Sequence, residues 1–425
     1  MRNKPLNQQT EVFAHQQLIE TPQPKQCEIS VTIPVRDEAE NLPKTLRAAA
    51  KQFDFNGEPF DPKKFEIIVL ANNCSDDSAQ IVRDFAKQNV DSPPIHVVEI
   101  DFPKEKANVG NARKTVMELA FRRFAQFGKR GVIASTDGDT RVSTNWLAAN
   151  LREIGNGANA VGGRIFVDKA ELAELDETAR CFHIEDTKYR LLSAELEGFL
   201  NPNSCDKNPR HHQHFGASFA VTTDFYEKSG GVPCVSSLED VAFYKCLQKI
   251  DAKFRHSPLV SVTTSARQIG KTDCGLSTQL EEWKRMGETK QNYVVDSAEW
   301  LFARFHGDKI LRDFWLDRHN ISVVQTIEKK RFADHFCMEF DWLENEIQSR
   351  RFFGELQQNF DRKRHENGWH LLWNHVEISK AIADLTQIIA KFRDGNKTKI
   401  VQRHRGDNFP RVARPNATNS LPSTL

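Results

Sequence analysis

Short apolar runs alternate with amphipathic segments along the chain from residue 27 onward. Each run has the length of a strand and ends at polar residues, and between the runs apolar residues recur at helical spacing. Strands separated by helices in this order are typical of a mainly parallel sheet with helices on both faces. The predicted strands are Ile29–Val35, Phe65–Leu70, Ile95–Ile100 and Val132–Ala134, and the predicted helix faces comprise Leu42, Leu46, Ala49 and Phe53, then Val82, Phe85 and Ala86, then Val116, Leu119, Ala120 and Phe124.

The pattern becomes less regular after about residue 160. We expect an α/β domain at 27–278 and a helical C-terminal extension at 279–395, between a flexible arm at 1–26 and a disordered tail at 396–425. The other predicted elements are strands at Ala160–Val167, Phe215–Val221 and Phe254–Thr264, helices at 169–199 and Ser237–Ile250, and a polar loop at Asn201–His214.

Composition excludes several classes of function. The 425 residues carry a formal net charge of +1, which gives no electrostatic case for nucleic acid as a partner. The eight cysteines show no Cys-x-x-Cys spacing, which argues against zinc ribbons and disulfides and favours a cytoplasmic setting. The first residues lack the apolar core of a signal peptide, and no run reaches about 18 apolar residues, so no transmembrane segment is expected. A basic stretch near the C-terminus leaves peripheral membrane contact open.

The chemistry begins at Asp137-Gly-Asp139, which directly follows an apolar run. Two carboxylates at a strand end can reach one hard divalent cation, and Gly138 lets the backbone turn. Such a site can hold a metal-bound diphosphate, although an Asp-x-Asp triplet is expected by chance about once or twice in a chain of this length. The alternative is that both residues cap the following segment.

Two other segments are predicted to reach the same place. The first predicted strand ends in Pro34-Val-Arg-Asp-Glu38, and the second ends in Asn72-Asn-Cys-Ser-Asp-Asp77. In an open parallel sheet, ligands bind beyond the carboxyl ends of the strands. The two segments and Asp137–Asp139 are therefore expected to line one crevice.

Together these motifs resemble the family-two glycosyltransferases, which use nucleotide sugars and have the GT-A fold. The resemblance covers roughly residues 28–270 and implies a half-Rossmann, mixed and mainly parallel sheet flanked by helices. Its pieces, in the family's order, are Ile33–Leu42, Asn72–Ser78, Asn108-Val-Gly-Asn-Ala-Arg113, Asp137–Asp139, Phe215-Gly-Ala-Ser218 with Gly230-Gly231, and Glu239-Asp240.

The resemblance also implies roles for individual residues. It places a divalent metal, Mn²⁺ or Mg²⁺, on Asp139, and it makes Asp240, in preference to Glu239, the catalytic base. The implied partners are a nucleotide-sugar donor and a small-molecule, glycan or lipid-linked hydroxyl acceptor. The implied nucleotide-binding residues are Pro34, Arg36, Glu38, Asn73, Arg113, Asp137 and Arg267, and the implied acceptor region is His214, Gly216, Ala217 and Ser218.

The chain departs from the family pattern in two places. Most relatives have an aspartate against the ring N–H of the base, where this chain has Asn73. An amide oxygen can accept the same hydrogen bond while its NH₂ can serve another base, so a UDP-sugar is the default donor and GDP stays open. The Gln-x-x-Arg-Trp motif of the membrane-bound relatives is replaced by Thr264-Ser-Ala-Arg267, which argues against a processive polymer synthase.

Other interpretations accompany these roles. Glu239 and Asp240 fit the first turn of a helix, where the macrodipole favours carboxylates, and Arg113 fits a solvated helix surface. A sugar-phosphate nucleotidyltransferase uses a similar half-sheet but needs a glycine-rich phosphate loop where this chain has Pro34–Glu38. A non-catalytic sugar-nucleotide binding protein is the third alternative.

Overall fold

The structure is a computed structural model that describes residues 18–267, 275–319 and 322–394. The predicted tail at 396–425 and residues 1–17 of the predicted arm lie outside these ranges. The chain forms two compact units. Within the described residues, the first unit comprises the chain from residue 18 to Glu174, Gln213–Cys246 and Phe254–Thr278, and the second unit comprises Leu175–His212, Leu247–Lys253 and the chain from Gln279 to residue 394.

The first unit contains an eight-stranded mixed sheet in the order β3-β2-β1-β4-β7-β6-β8-β5. The pairs β1–β2, β2–β3, β1–β4 and β6–β8 are parallel, and β4–β7, β6–β7 and β5–β8 are antiparallel. The predicted fold class, an α/β protein with a mixed sheet flanked by helices, is confirmed. The strands are β1 (Ile29–Val35), β2 (Phe65–Asn72), β3 (Ile95–Ile100), β4 (Val132–Ser135), β5 (Arg141–Val142), β6 (Ala160–Val167), β7 (Phe219–Thr222) and β8 (Phe254–Thr264).

Fourteen α-helices and a small antiparallel sheet complete the described residues. The helices are α1 (Leu42–Ala50), α2 (Ser78–Gln88), α3 (Val109–Gln126), α4 (Trp146–Gly155), α5 (Lys169–Glu174), α6 (Glu177–Leu200), α7 (Thr223–Lys228), α8 (Glu239–Lys249), α9 (Leu276–Glu288), α10 (Ala298–Leu316), α11 (Val323–His335), α12 (Phe340–Ser349), α13 (Phe353–Glu366) and α14 (Ile378–Arg393), and the small sheet pairs β9 (Val294–Asp296) with β10 (His375–Glu377).

The central strands form where the sequence is almost continuously apolar. Every residue of β1 and β2 is buried, because each strand has a neighbour on both sides and helices over its faces. Burying such side chains contributes roughly 1.5–3 kcal/mol each. Helix α1 supplies Leu42, Leu46 and Ala49 as its buried face, and a proline follows its first residue, a position where no amide hydrogen bond is lost.

The second unit is mainly helical. Tyr189 and Leu196 of α6 pack in one core with residues of α10 and α14, and a separate core joins α10 to α11, α12 and α13. Trp283 and Trp369 are almost fully buried within this unit. Among the described helices of the whole chain, none is long and apolar enough to cross a membrane.

Three local predictions need correction. Phe53 does not continue the helix face of α1, because this helix ends at Ala50 and Phe53 pairs with Pro59 in an isolated β-bridge. The predicted strand Phe215–Val221 begins only at Phe219, because Gly216–Ser218 form a 3₁₀ turn. The amide of Gly216 donates to Asp240 and its carbonyl accepts from Arg113, so neither group is available to a ladder. The predicted helix 169–199 is two helices, and Asp176 caps the second by accepting from the first amides of α6.

Candidate active site

The site lies at the carboxyl ends of β1 and β4, which are parallel neighbours in the sheet. Gly138, in the turn after β4, approaches the segment after β1 closely. A Cβ on Gly138 would lie 2.8 Å from Cγ1 of Val35 and 3.0 Å from Cγ of Glu38, and its carbonyl accepts from the Thr45 hydroxyl at 2.8 Å. Only glycine fits this close packing, which brings Asp137 and Asp139 against the first predicted loop.

Glu38, Asp139 and Arg267 form one ion cluster. The Arg267 guanidinium donates to both carboxylate oxygens of Glu38 at 2.8 and 2.9 Å, and its Nη2 lies 3.0 Å from Oδ2 of Asp139. Glu38 is buried, and 30% of the Arg267 side chain is exposed. Bidentate arginine–carboxylate pairs fix geometry as well as charge. The structure thus joins three predicted site residues from the ends of β1, β4 and β8.

Negative charge is concentrated at Asp139. Burial, with the nearby carboxylates of Asp137 and Glu38, raises the pKa of Asp139 to about 6, although Arg267 and the Thr140 hydroxyl oppose this rise. Carboxylate oxygens are the ligands that Mg²⁺ and Mn²⁺ prefer. The residues present therefore suit a hard divalent cation, which would offset the same repulsion.

Arg113 lies at the centre of a second cluster. It lies in the first turns of α3. Asn108 is the N-cap of this helix, and its side-chain oxygen accepts a hydrogen bond from the amide of Asn111. Only 5% of its side chain is exposed. Its guanidinium donates to Glu239 at 2.8 Å, to the Ser135 hydroxyl at 2.7 Å, to the Gly216 carbonyl at 3.2 Å and to Asp137 at 2.7 Å.

The surrounding carboxylates stabilise the protonated, positively charged form of Arg113. Burial alone would lower its pKa, but the carboxylates of Asp137, Glu239 and Asp240 raise it above its ordinary value. The packing is also tight, because a Cβ on Gly216 would lie 2.4 Å from the Arg113 guanidinium carbon. Arg113 is therefore a fixed, buried cation, and the interpretation as a solvated helix residue is wrong.

Asp240 lies in the first turn of α8, directly after Glu239. Its Oδ2 accepts from the amide of Gly216 at 2.7 Å, and its Oδ1 accepts from the amide of Val241 at 2.7 Å. Burial and the neighbouring Glu239 carboxylate raise the pKa of Asp240, while Arg113 and the two amides oppose the rise. A carboxylate with a raised pKa is a suitable proton acceptor near neutral pH.

Asn73 occupies a left-handed position, with φ of 48°. Its side-chain NH₂ donates to the carbonyl of Phe102 at 2.9 Å, and its side-chain oxygen accepts from the amide of Phe102 at 3.0 Å. The side chain thus continues the β2–β3 pairing beyond the strand ends. This structural use coexists with the predicted contact to a base, since an amide oxygen can accept a second hydrogen bond.

The loops after β1 and β2 are tied together by two aspartates that our sequence analysis assigned to no role. Asp37 accepts from the amide and the hydroxyl of Ser75, and Asp76 accepts from the amide of Ala39. Oxygens of both carboxylates lie within 4.8 Å of each other and of the Cys74 sulfur. Their positions just beyond the predicted strand ends were the feature of the sequence from which these contacts could have been predicted. The contacts hold the two predicted nucleotide loops side by side.

The remaining predicted residues lie around these clusters. Pro34 is buried within β1, and exposed Arg36 donates to the carbonyl of Ala107 at 3.0 Å. His214 stacks on Tyr244 with ring centroids 3.8 Å apart. The Ala217 carbonyl accepts from Thr136, and the Ser218 hydroxyl accepts from the Trp146 indole. Gly216, in the predicted acceptor region, contacts both Asp240 and Arg113.

Comparison with known proteins supports the resemblance stated from the motifs. Residues 30–205 match the model of the family described as Glycosyl transferase family 2. This segment contains Asp137 and Asp139, and it ends before Glu239 and Asp240. The resemblance to this family that the motifs indicated is confirmed over residues 30–205.

A curated relative matches a smaller part of the chain. The glycosyltransferase AglE of Haloferax volcanii is 30% identical over 138 residues, which are 32% of this chain and 39% of that protein. The chain thus spans about two fifths of this relative's length.

Two solved structures align loosely over most of the chain. S. aureus TarS 1-349 in complex with UDP has a TM-score of 0.40 and 12% identity, covering 87% of this chain and 92% of that one. The mannosyltransferase PcManGT of Pyrobaculum calidifontis, in complex with GDP-Man and Mn²⁺, has a TM-score of 0.40 and 13% identity, covering 81% and 89%.

Proposed function

We propose that this chain, in which residues 30–205 match the glycosyl transferase family 2 model, transfers a sugar from a nucleoside-diphosphate donor to a hydroxyl acceptor with inversion at the anomeric carbon. A UDP-sugar is the default donor. Pro34, Arg36, Glu38, Asn73, Asp137 and Arg267 would bind the nucleotide and diphosphate, and His214, Gly216, Ala217 and Ser218 would border the acceptor.

One relationship carries this proposal. Asp137, at the end of β4, and Glu239, next to Asp240 on α8, accept hydrogen bonds from the same guanidinium at 2.7 and 2.8 Å. The proposed donor side and the proposed base are thus joined through one side chain. This link supports the proposal, because a single-displacement reaction needs the base and the leaving group held in a defined relative geometry.

Asp240 would act as the general base. Its carboxylate would take the proton of the acceptor hydroxyl as the oxygen forms its bond to the anomeric carbon and the bond to the diphosphate breaks. Two backbone amides orient this carboxylate, which leaves further lone pairs on its oxygens for a substrate hydroxyl. Glu239 is less suited to the role because Arg113 holds it as a buried ion pair.

A divalent cation held by Asp139 would supply positive charge to the departing diphosphate. Glu38 would stay in place through its two hydrogen bonds with Arg267. The packing of Glu38 on Gly138 would keep the turn that carries Asp139 in one conformation.

Product analysis tests the proposal. The full chain is incubated with Mn²⁺ and a panel containing UDP-glucose, UDP-N-acetylglucosamine and GDP-mannose, with simple glycosides as acceptors. Release of UDP or GDP together with a glycosylated product of inverted configuration is expected. Pyrophosphate release would instead indicate a nucleotidyltransferase. Donor binding without any product would indicate a non-catalytic sugar-nucleotide binding protein.

A further inference from the structure

The partners of Arg113 come from three separate segments of the chain. They are Ser135 and Asp137 at the end of β4, Gly216 before β7, and Glu239 at the start of α8. Four hydrogen bonds of 2.7 to 3.2 Å use all three guanidinium nitrogens. A side chain that joins three segments in this way determines where each segment lies relative to the others.

Two of these contacts lead directly to Asp240. The carbonyl of Gly216 accepts from Arg113, while the amide of the same residue donates to Asp240 Oδ2 at 2.7 Å. Glu239, which is bonded to Arg113, precedes Asp240 in the chain. Arg113 therefore supports both the backbone that carries Asp240 and the amide on which its carboxylate rests.

The protein packs closely around the guanidinium in this arrangement. A Cβ on Gly216 would lie 2.4 Å from the guanidinium carbon, and the Arg113 and Glu239 side chains are 5% and 4% exposed. Four of the five guanidinium N–H groups are already used, and a guanidinium that turned toward a diphosphate would give up its bond to Glu239 and leave that carboxylate buried without its cation.

We propose that Arg113 is a positioning residue, which holds Asp137 and Asp240 at a fixed separation across the site, and that it does not bind the donor's diphosphate. The inference rests on the proposed function, because it takes Asp240 as the base. It replaces the role in diphosphate binding that the sequence resemblance implies for Arg113.

Arg113→Lys separates the two roles. Lysine keeps the positive charge and can still pair with Asp137, but it cannot also make the planar contacts to Gly216 and Glu239. If Arg113 positions the base, UDP should bind this variant with unchanged affinity in the presence of Mn²⁺, while the sugar-transfer rate falls about a hundredfold, as expected for a small misplacement. If Arg113 binds the diphosphate, the affinity for UDP should fall while the affinity for uridine stays the same, and that result would overturn the proposal.

The pH profile distinguishes positioning of the base from a general loss of structure. Asp240 is faced by Glu239, by Arg113 and by the amides of Gly216 and Val241. Arg113→Gln removes the one cation of this group, so the acidic limb of the rate profile should move to higher pH by about one unit or more. Arg113→Lys should leave the limb in place. A limb that stays unmoved in both variants would contradict the proposal.

Separate control experiments test the folding of each variant and its function. Circular dichroism and thermal melting establish that each variant is folded, and Glu239→Gln provides a second test if Arg113→Gln does not fold. Because Glu239→Gln weakens the same link, it should lower the transfer rate without changing UDP affinity. A wild-type chain that transfers no sugar would defeat the proposed function, whereas the comparison of UDP and uridine binding would still decide whether Arg113 contacts the diphosphate.

Discussion

Arg267 places its Nη2 3.0 Å from Oδ2 of Asp139, so the carboxylate predicted to hold a divalent cation already has a protein cation as its partner. The same guanidinium holds Glu38 through two hydrogen bonds. A metal ion that binds Asp139 must therefore compete with Arg267. This relationship yields the first prediction.

Arg267→Gln should strengthen the binding of Mn²⁺ in the absence of nucleotide. A partly exposed ion pair contributes up to about 1 kcal/mol, and losing this competitor corresponds to about a fivefold lower dissociation constant. Electron paramagnetic resonance of free Mn²⁺ measures the change directly. Arg122→Gln, which removes a surface pair with Glu118, is the matched control and should leave Mn²⁺ binding unchanged. Equal affinity of wild type and Arg267→Gln would show that the pair is no competitor.

Asp139→Ala should abolish metal-dependent binding of UDP, because the cation loses its proposed protein ligand. Calorimetric titration of UDP in the presence of Mn²⁺ is the measurement. Asp91→Ala, at an exposed position, is the control and should bind as the wild type does. An unchanged isotherm for Asp139→Ala would remove this residue from the metal role.

Asn73→Asp tests the structural use of the amide separately from base recognition. The aspartate keeps an acceptor for the Phe102 amide but places a carboxylate oxygen against the Phe102 carbonyl, where Asn73 donates. We expect stability to fall by about 1 kcal/mol, the usual contribution of one hydrogen bond, because both hydrogen bonds are only partly buried. If the residue also accepts from a uracil N–H, UDP affinity should persist in the folded variant. Loss of UDP affinity with normal stability would contradict both expectations.

The sequence predicted the strands well where burial dictates composition. Ile29–Val35, Ile95–Ile100, Ala160–Val167 and Phe254–Thr264 have the predicted bounds. In β1 every residue is buried, and an apolar run between polar residues is what such a strand requires. The two-residue strand β5 is too short to show any periodicity. The hydrophobic pattern could not predict strand direction either, because the antiparallel pairing of β7 with β4 and β6 depends on partners that are distant in sequence.

The sequence predicted which positions belong to the candidate site, but it did not predict which of these residues pair with one another. Strand-end logic identified Glu38, Asp139 and Arg267, yet Glu38 and Arg267 are 229 positions apart, and a charged residue does not indicate its partner. Arg113 illustrates the same limit, because α3 turns this residue inward toward Glu239. The predicted domain boundaries, and the roles of the site residues beyond these contacts, stay predictions.

Acid should destabilise the chain through Glu66, a fully buried residue of β2. Burial alone would raise the pKa of Glu66, but contacts with His96, Arg123 and Ser30 lower it to about 2 from an ordinary value of 4.5. A lowered folded-state pKa gives stability that is complete above the unfolded-state value and is lost as pH falls toward the folded-state value. The shift corresponds to roughly 3 kcal/mol, lost between about pH 4.5 and 2.

Glu66→Gln is the variant that tests this assignment. It should be less stable than the wild type at neutral pH, and the difference in melting temperature between the two should shrink as pH falls through that window. Glu28→Gln removes a surface pair with Lys64 whose side chains are 46% and 43% exposed, and it serves as the control. A difference between wild type and Glu66→Gln that is the same at every pH would assign the acid sensitivity to other groups.

Asp240→Asn tests catalysis apart from donor binding. The amide keeps the size of the carboxylate but cannot accept the acceptor's proton, and removal of a general base lowers the rate by about a hundredfold to ten-thousandfold. One of the backbone amides of Gly216 and Val241 would then face an NH₂ group, so some stability is lost, about 1–3 kcal/mol.

Transfer rate and UDP affinity are measured on protein shown to be folded. A large fall in rate with unchanged UDP affinity is expected, because the Asp240 carboxylate accepts from the amides of Gly216 and Val241, which belong to other segments than the nucleotide loops after β1 and β2. Normal turnover would shift the base to Glu239 or another group, and lost UDP binding would place Asp240 on the nucleotide side.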